Sequence, residues 1–205
     1  MASAKKIRSL RESQIIIWDE PGVQVQEAGT GADDDTLAVR IHRSYAHPGG
    51  VYVYGISWHG KSIVYATDTE GYVGTDRKLV QFARGTDLLI HDAQYVEAHY
   101  RGQMMGFPST QGYGHSTAAM ACEVALAAQA SQLVLFHHDP AYDDKMVDQI
   151  EREAQARFEN TLAAYEGLEI TFTHSGTSTS VASLPPFNDW AGRVKYAQDG
   201  RREEG

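Results

Sequence analysis

The first third of the chain alternates short apolar runs with turn-forming residues, a pattern that predicts β-strands. The apolar runs are interrupted by Pro21-Gly22, by residues 29–35 and by His47-Pro48-Gly49-Gly50. His59-Gly60 is a two-residue connection of the kind that closes a β-hairpin. The pattern therefore predicts strands at residues 15–18, 23–27, 37–42, 51–58 and 61–67.

After residue 67 the pattern changes to helices that alternate with strands. Apolar residues recur at three- and four-residue steps between residues 142 and 165, which predicts one amphipathic helix. The alanine-rich segment 116–130 predicts a buried helix with Ser116 as its N-cap. A short helix at 78–83 and strands at 87–91, 132–137 and 168–173 complete the prediction of an α/β fold.

Length and composition describe one globular domain with a negative charge. The chain has 205 residues, of which 42% are hydrophobic and 22% charged, the balance of a soluble domain. Acidic residues outnumber basic ones by 27 to 18, a formal net charge of -9, which disfavours a general electrostatic grip on nucleic acid. We expect the domain to span residues 14–180, between a basic extension at 1–13 and a polar tail at 181–205.

Cysteine usage and the length of the apolar runs bear on the cellular compartment. The single cysteine, Cys122, cannot form an internal disulfide and fits a reducing environment. No apolar run approaches the ~20 residues of a membrane span, and residues 1–12 contain no apolar signal core. The sequence therefore predicts a cytoplasmic protein without a membrane partner.

Several polar residues follow apolar strands, where side chains become available to a ligand. Asp68, Asp92 and His137 each come at or just after the end of a predicted strand. Asp68 has an Asx-turn or N-cap as its ordinary structural alternative, and His137 has a structural role as its alternative. Asp92 is placed to orient an imidazole.

Two further histidines occupy a turn and a helix start. His47 opens the turn His47-Pro48-Gly49-Gly50, and a histidine in a turn does not by itself indicate a functional role. His115 directly precedes the predicted cap Ser116, beside the free N–H groups that can receive a phosphate or a developing anion. A capping-region histidine without a partner is the alternative for His115.

The order of these segments resembles the C-terminal half of the metallo-β-lactamase superfamily, within the phosphodiesterase branch that includes ribonuclease Z and the cyclic-phosphate phosphodiesterases. The segments that carry the likeness are residues 47–50, 63–69, 87–93, 114–117 and 133–140. The resemblance implies the αββα four-layer sandwich of that superfamily, of which this chain would supply the C-terminal half plus flanking segments. The Gly-rich stretch 102–114 would border the substrate.

The resemblance also implies the roles of the candidate site residues. His47 would bind one metal ion, Asp68 would bridge two ions, and His137 would bind the other, with the adjacent His138 a less expected ligand. Imidazole and carboxylate ligands suit zinc, the expected metal, or manganese, and a pair of such ions supports displacement at phosphorus. His115 would be the general acid, oriented by Asp92, where family members often have Glu.

One departure from the family concerns metal binding. The defining His-x-His-x-Asp-His signature is absent from the chain, so His47, Asp68 and His137 would give each ion only two protein ligands instead of the usual three. We therefore expect weak metal binding by this chain alone. We also expect that it is a fragment or a misplaced start, or that a complementing N-terminal half or a second copy covers its apolar face.

Three functions stay open at this point. The first is a metal-dependent hydrolase of phosphodiesters or esters that acts within a complete fold. The second is a degenerate, non-catalytic module for binding or assembly, and the third is a minimal enzyme in which His47, Asp68 and His137 hold one ion. A small phosphodiester or ester is the expected substrate, and tRNA is less expected because no basic arm is evident.

Overall fold

A computed structural model describes residues 14–19, 22–27, 36–71, 74–173 and 176–181 of the protein. The predicted basic extension at 1–13 and the tail beyond residue 181 lie outside these residues. The chain divides into two compact units, Met1–Ala164 and Tyr165–Gly205. The predicted domain limits at 14 and 180 stay predictions.

The first unit contains a mixed β-sheet of eight strands in the order β2-β1-β3-β4-β5-β6-β7-β8. Neighbours from β2 to β5 pair antiparallel, and those from β5 to β8 pair parallel. The strands are β1 (Gln14–Asp19), β2 (Gly22–Glu27), β3 (Leu37–Ser44), β4 (Val51–Trp58), β5 (Lys61–Ala66), β6 (Leu88–Asp92), β7 (Leu133–Phe136) and β8 (Thr161–Ala163). The strands predicted in the first third of the chain are confirmed, including the hairpin turn at His59-Gly60 between β4 and β5.

Helices cover one face of this sheet. They are α1 (Arg77–Phe82), α2 (Glu97–Tyr100), α3 (Ala118–Ala128) and α4 (Asp144–Gln155). The apolar helix α3 contacts α1, α4, β6 and β7, and its buried residues include Ala121, Cys122 and Ala125. Leu89 and Leu135 from the sheet join these side chains in one core cluster. None of the helices in the described part of the chain is long and apolar enough to cross a membrane.

The opposite face of the sheet carries exposed aromatic residues. Side chains alternate between the two faces along a strand, so the neighbours of the core residues Val53 and Leu135 point away from the helices. Tyr52, Tyr54 and Phe136 hold these alternate positions and are exposed. The described first unit is thus a sheet with helices on one face, two of the four layers of an αββα sandwich.

The start of α3 differs from the prediction. Its N-cap is Thr117, whose hydroxyl accepts a hydrogen bond from the Met120 N–H at 3.3 Å. Ser116, the predicted cap, donates its hydroxyl to the Thr69 carbonyl at 2.5 Å and accepts the Gly71 N–H at 3.0 Å. Because its hydroxyl is used by another loop, Ser116 is not available to cap the helix.

The predicted long helix 142–165 is also wrong in extent. Helix α4 begins after its N-cap Asp143 and ends at Gln155, and the chain then turns to form β8 beside β7. Glu151 accepts the Ala163 N–H at 2.6 Å, and Gln155 donates to the Thr161 carbonyl at 2.9 Å. Apolar periodicity did not reveal this change because strand pairing with β7, a tertiary contact, stabilises β8.

The second unit contains a two-stranded antiparallel hairpin. Its strands are β9 (Leu168–Thr173) and β10 (Gly176–Val181). The sequence predicted β9 correctly. It missed β10, whose segment Gly176–Val181 is rich in Ser and Thr and has no apolar alternation.

Candidate active site

The candidate residues meet at one edge of the sheet because of how the strands run. Strands β5, β6 and β7 are parallel, so their carboxyl ends lie at the same edge, where ligands bind in open α/β sheets. Asp68 follows β5, Asp92 ends β6 and His137 directly follows β7. Strand β3 is antiparallel to β4, which is antiparallel to β5, so His47 beyond β3 emerges at that edge as well.

Four of the five predicted site residues form one cluster. Asp68, Asp92, His115 and His137 each offer a ligand atom, and these atoms all lie within 4.8 Å of one another. His137 Nε2 is 3.5 Å from Asp68 Oδ1, and the His115 and His137 rings stack with centroids 4.9 Å apart. No other group of this kind is found among the described residues.

Two members of the cluster have a left-handed backbone. The φ angle is +54° at Asp68 and +66° at His137, a conformation that costs non-glycine residues about 1 kcal/mol or more and recurs at functional sites. The Asx-turn or cap predicted as the alternative for Asp68 is not among its described hydrogen bonds. Its carboxylate instead accepts the Thr67 hydroxyl at 3.3 Å and faces His137.

Asp92 holds His115 in one orientation. His115 Nδ1 lies 2.7 Å from Asp92 Oδ2, while Asp92 Oδ1 accepts the N–H groups of Gln94 at 3.1 Å and Ser116 at 3.0 Å. The Asp92 side chain is fully buried. The hydrogen bond to Asp92 raises the pKa of His115 above its usual value, against the opposing effect of burial. With Nδ1 engaged, Nε2 is the ring atom left for another partner.

His47 lies beside the cluster. Its ring centroid is 5.4 Å from that of His115, and its Nδ1 is 2.9 Å from the Pro48 carbonyl oxygen. Because a carbonyl only accepts, Nδ1 carries the proton and Nε2 is the free ligand atom, the usual arrangement of a metal-binding histidine. Gly114 packs so closely here that a Cβ atom on it would clash with the His47 ring and Pro48.

The neighbouring His138 differs from His137. Both of its ring nitrogens are buried, and burial lowers the pKa of His138, against the opposing effect of a hydrogen bond with the Leu135 main chain. His138 is not a member of the cluster.

Sequence reasoning missed one acidic residue of the site, Glu70. Its side chain is 2% exposed and accepts hydrogen bonds from the Tyr100 hydroxyl and from the N–H groups of Gly112 and Gly114. The available signal was a carboxylate two residues beyond Asp68 in the sequence.

The cluster fits a divalent metal ion. Zinc lies about 2.0–2.2 Å from nitrogen and oxygen ligands, so two atoms on one ion are at most ~4.4 Å apart. The 4.8 Å spread of the cluster is slightly wider than this limit. Two imidazoles and two carboxylates form a donor set that suits zinc or manganese.

Comparisons with known proteins agree with this fold. A family model described as "Beta-lactamase superfamily domain" matches residues 12–138. Ribonuclease Z of Trichodesmium erythraeum is 34% identical over 122 residues, which are 58% of this chain and 35% of that protein. Ribonuclease Z of Archaeoglobus fulgidus is 34% identical over 125 residues, 60% of this chain and 37% of that protein. The metallo-β-lactamase fold protein YhfI from Bacillus subtilis superposes with a TM-score of 0.50 at 19% identity, covering 70% of this chain and 49% of its own.

The chain therefore belongs to the beta-lactamase superfamily. Its sequence is similar to that of ribonuclease Z, and the predicted metallo-β-lactamase fold class is confirmed. The chain spans about a third of the length of the curated relatives it matches.

Proposed function

We propose that this chain carries part of the active site of a metal-dependent hydrolase of the phosphodiesterase type. The observation that supports the proposal is the convergence of Asp68, Asp92, His115 and His137 within 4.8 Å at the carboxyl edge of the sheet. The proposed metal ligands are His47, Asp68 and His137. In the complete fold they would contribute to a site for two divalent ions, zinc in the first place and manganese as the alternative.

The proposed chemistry divides between the metal and the side chains. When bound, the ions would supply a hydroxide nucleophile and stabilise negative charge at phosphorus. Asp68 would help to hold both ions, while His47 and His137 would each help to hold one. His115 donates a proton from Nε2 to the leaving oxygen, and Asp92 fixes the ring that does so.

The electrostatics of His115 support its role as a general acid. A general acid must hold its proton near the working pH and release it to the leaving group. The Asp92 hydrogen bond raises the pKa of His115, which increases the protonated fraction near neutral pH. Stacking on His137 places the ring beside the proposed metal ligands.

We propose that this site works within a larger assembly. His47, Asp68 and His137 supply each of two ions with two protein ligands, fewer than the three that catalytic zinc normally has. The exposed residues Tyr52, Tyr54 and Phe136 on the helix-free face suit coverage by further protein. The partner would be an N-terminal half that contributes the remaining ligands, with a second copy of this chain as the alternative.

A small phosphodiester or ester is the proposed substrate. The relatives that the chain matches are ribonucleases, which supports phosphodiester chemistry. The net charge of -9 disfavours electrostatic binding of tRNA over a broad surface. The single cysteine, buried Cys122, fits the proposed cytoplasmic location.

The test is hydrolysis of bis(p-nitrophenyl) phosphate by the chelator-treated chain with added zinc or manganese. The chain is assayed alone and together with an N-terminal half of a relative that contains His-x-His-x-Asp-His. The proposal expects metal-dependent hydrolysis that rises when the N-terminal half is added and falls about a hundredfold or more in His115→Asn, whereas His59→Asn in the exposed β4–β5 turn keeps it. Absence of hydrolysis in both forms with both metals contradicts the proposal and favours the non-catalytic module.

The compact cluster supports a second candidate, a site for one ion. Asp68 and His137 would then be joined by a third ligand, either His47 as expected from the sequence or His115, whose ligand atom lies within the 4.8 Å group. One bound ion per chain that His115→Ala removes and His47→Ala retains would favour His115 as that ligand. The reverse result would favour His47.

A further inference from the structure

Glu70 is a buried carboxylate outside the proposed metal ligands. Its side chain is 2% exposed, and both carboxylate oxygens are used. Oε1 accepts the Tyr100 hydroxyl at 2.6 Å and the Gly112 N–H at 2.7 Å, and Oε2 accepts the Gly114 N–H at 2.9 Å. Burial of a carboxylate is costly unless its oxygens are satisfied in this way.

The two glycines that Glu70 binds form the turn before His115. Both have positive φ angles, +85° at Gly112 and +95° at Gly114, which glycine adopts about as readily as negative ones, so the residue type allows this turn but does not fix it. Gly114 immediately precedes His115 and packs against the His47 ring. The Glu70 carboxylate therefore fixes the main chain on the N-terminal side of His115.

The main chain around Glu70 is tied to the other site loops. The Glu70 N–H donates to the Ala46 carbonyl at 3.2 Å, one residue before His47. The preceding Thr69 carbonyl accepts the Ser116 hydroxyl at 2.5 Å, on the C-terminal side of His115. The segment 68–70 thus contacts the loops of His47 and His115 and itself contains Asp68.

We infer that Glu70 is a positioning residue that holds the Gly112–Gly114 turn and thereby sets the place of His115 relative to His47 and Asp68. The catalytic consequence of this inference rests on the proposed function, because the residue that Glu70 positions is the proposed general acid. The claim that Glu70 holds the turn rests on its hydrogen bonds alone. Glu70 acts through His115 and does not itself touch the reacting atoms.

The variant that isolates this role is Glu70→Gln. A carboxamide has the shape of the carboxylate but presents an NH₂ group where the second oxygen was. One glycine N–H then faces a donor and loses its acceptor. A single lost charge-assisted hydrogen bond suffices for about a tenfold change in local opening.

The first measurement is amide hydrogen exchange of the full chain by NMR. We expect Gly112 and Gly114 to be protected in the wild type and at least one of them to exchange about tenfold faster in Glu70→Gln. Amides of β6 and β7 keep their rates. Unchanged exchange at both glycines in the variant overturns the inference.

Asp87→Asn is the matched control. Asp87 also accepts a main-chain N–H, from Ser62 at 2.8 Å, but it lies before β6, five residues from Asp92 and at the other end of that strand. The control removes another carboxylate that accepts a main-chain N–H, a partly exposed one, without touching the turn. Its Gly112 and Gly114 amides should exchange as in the wild type, and acceleration there equal to that in Glu70→Gln would contradict a specific role.

The second measurement separates positioning from general destabilisation. In the form that hydrolyses bis(p-nitrophenyl) phosphate, Glu70→Gln should lower kcat about tenfold to a hundredfold with a smaller change in KM. In a His115→Ala background the same change should have little further effect. An equal proportional loss in both backgrounds overturns the inference, because Glu70 would then not act through His115.

The test still decides the inference if hydrolysis is absent or if the variant does not fold. If no form of the protein hydrolyses the substrate, the proposed function fails, and the exchange rates alone decide whether Glu70 holds the turn. If Glu70→Gln does not fold, Tyr100→Phe removes one donor from the carboxylate and leaves the turn sequence intact. It should produce a smaller change in the same direction at the same two amides, and no change at either amide counts against the inference.

Discussion

His115 Nδ1 lies 2.7 Å from Asp92 Oδ2, although 22 residues of chain separate the two positions. Asp92 ends strand β6, and His115 precedes helix α3. Two further main-chain hydrogen bonds to the other oxygen of Asp92 keep this carboxylate in place. The site therefore presents His115 with a fixed orientation and a defined free nitrogen.

Replacing Asp92 tests the pairing through the pKa of His115. In Asp92→Asn we expect a lower pKa of His115, because the hydrogen bond and the negative charge that raise it are lost. The titration of the imidazole signals by NMR measures this directly. We also expect hydrolysis to fall about a hundredfold, the contribution of a positioned general acid. An unchanged His115 pKa in the variant would show that the pair does not form.

The same pair predicts how stability depends on pH. The pKa of His115 is raised in the folded state above its usual value of 6.5, so folding favours the protonated ring. The contribution of the Asp92–His115 pair to the free energy of unfolding is fully present below the unfolded-state pKa of His115. It is lost as the pH rises through the folded-state pKa. Asp92→Asn should therefore lose more stability at pH 5.5 than at pH 8.5, as measured by urea unfolding. An equal loss at both values would contradict the pairing.

Alanine substitutions at Gly112 and Gly114 distinguish the cost of backbone strain from the cost of a steric clash. Both have positive φ angles, but a Cβ on Gly114 would clash with His47 and Pro48, whereas a Cβ on Gly112 meets nothing within 4 Å. Gly112→Ala should cost about 1–2 kcal/mol of unfolding free energy from backbone strain. Gly114→Ala should cost about 1–3 kcal/mol more from overpacking. Equal losses in urea unfolding would mean that His47 is not packed against this turn.

The single thiol should be inert in the folded protein. Cys122 is 1% exposed inside helix α3, and burial raises its pKa to about 11. Because the thiolate is the reactive form, we expect no reaction with Ellman's reagent at pH 8 in native buffer. One thiol per chain should react in denaturant. Rapid reaction of the native protein would show that α3 is not buried as described.

The strands and the candidate residues were predictable because local pattern determines them. The hairpin at His59-Gly60 and the polar residues that follow β5 and β7 can be read from the sequence itself. Family resemblance supplied the roles of these residues, and the parallel order of β5, β6 and β7 explains why they meet.

What could not be predicted depends on contacts between distant segments. Ser116 lost its expected cap position because its hydroxyl binds the Thr69 loop. Strand β8 replaced the end of a predicted helix because it pairs with β7. Glu70 was missed because its partners, the Gly112 and Gly114 amides, lie more than 40 residues away along the chain.

Zinc binding by variants of the adjacent residues His137 and His138 tests the proposed metal site, the central claim, most directly. Zinc is titrated against a competing chelator into the wild-type chain, Asp68→Asn, His137→Ala and His138→Ala. We predict weak but measurable binding in the wild type, a loss of about tenfold or more in affinity in Asp68→Asn and His137→Ala, and wild-type affinity in His138→Ala. Full binding by Asp68→Asn and His137→Ala, or a loss in His138→Ala as large as in His137→Ala, would contradict the assignment of the site.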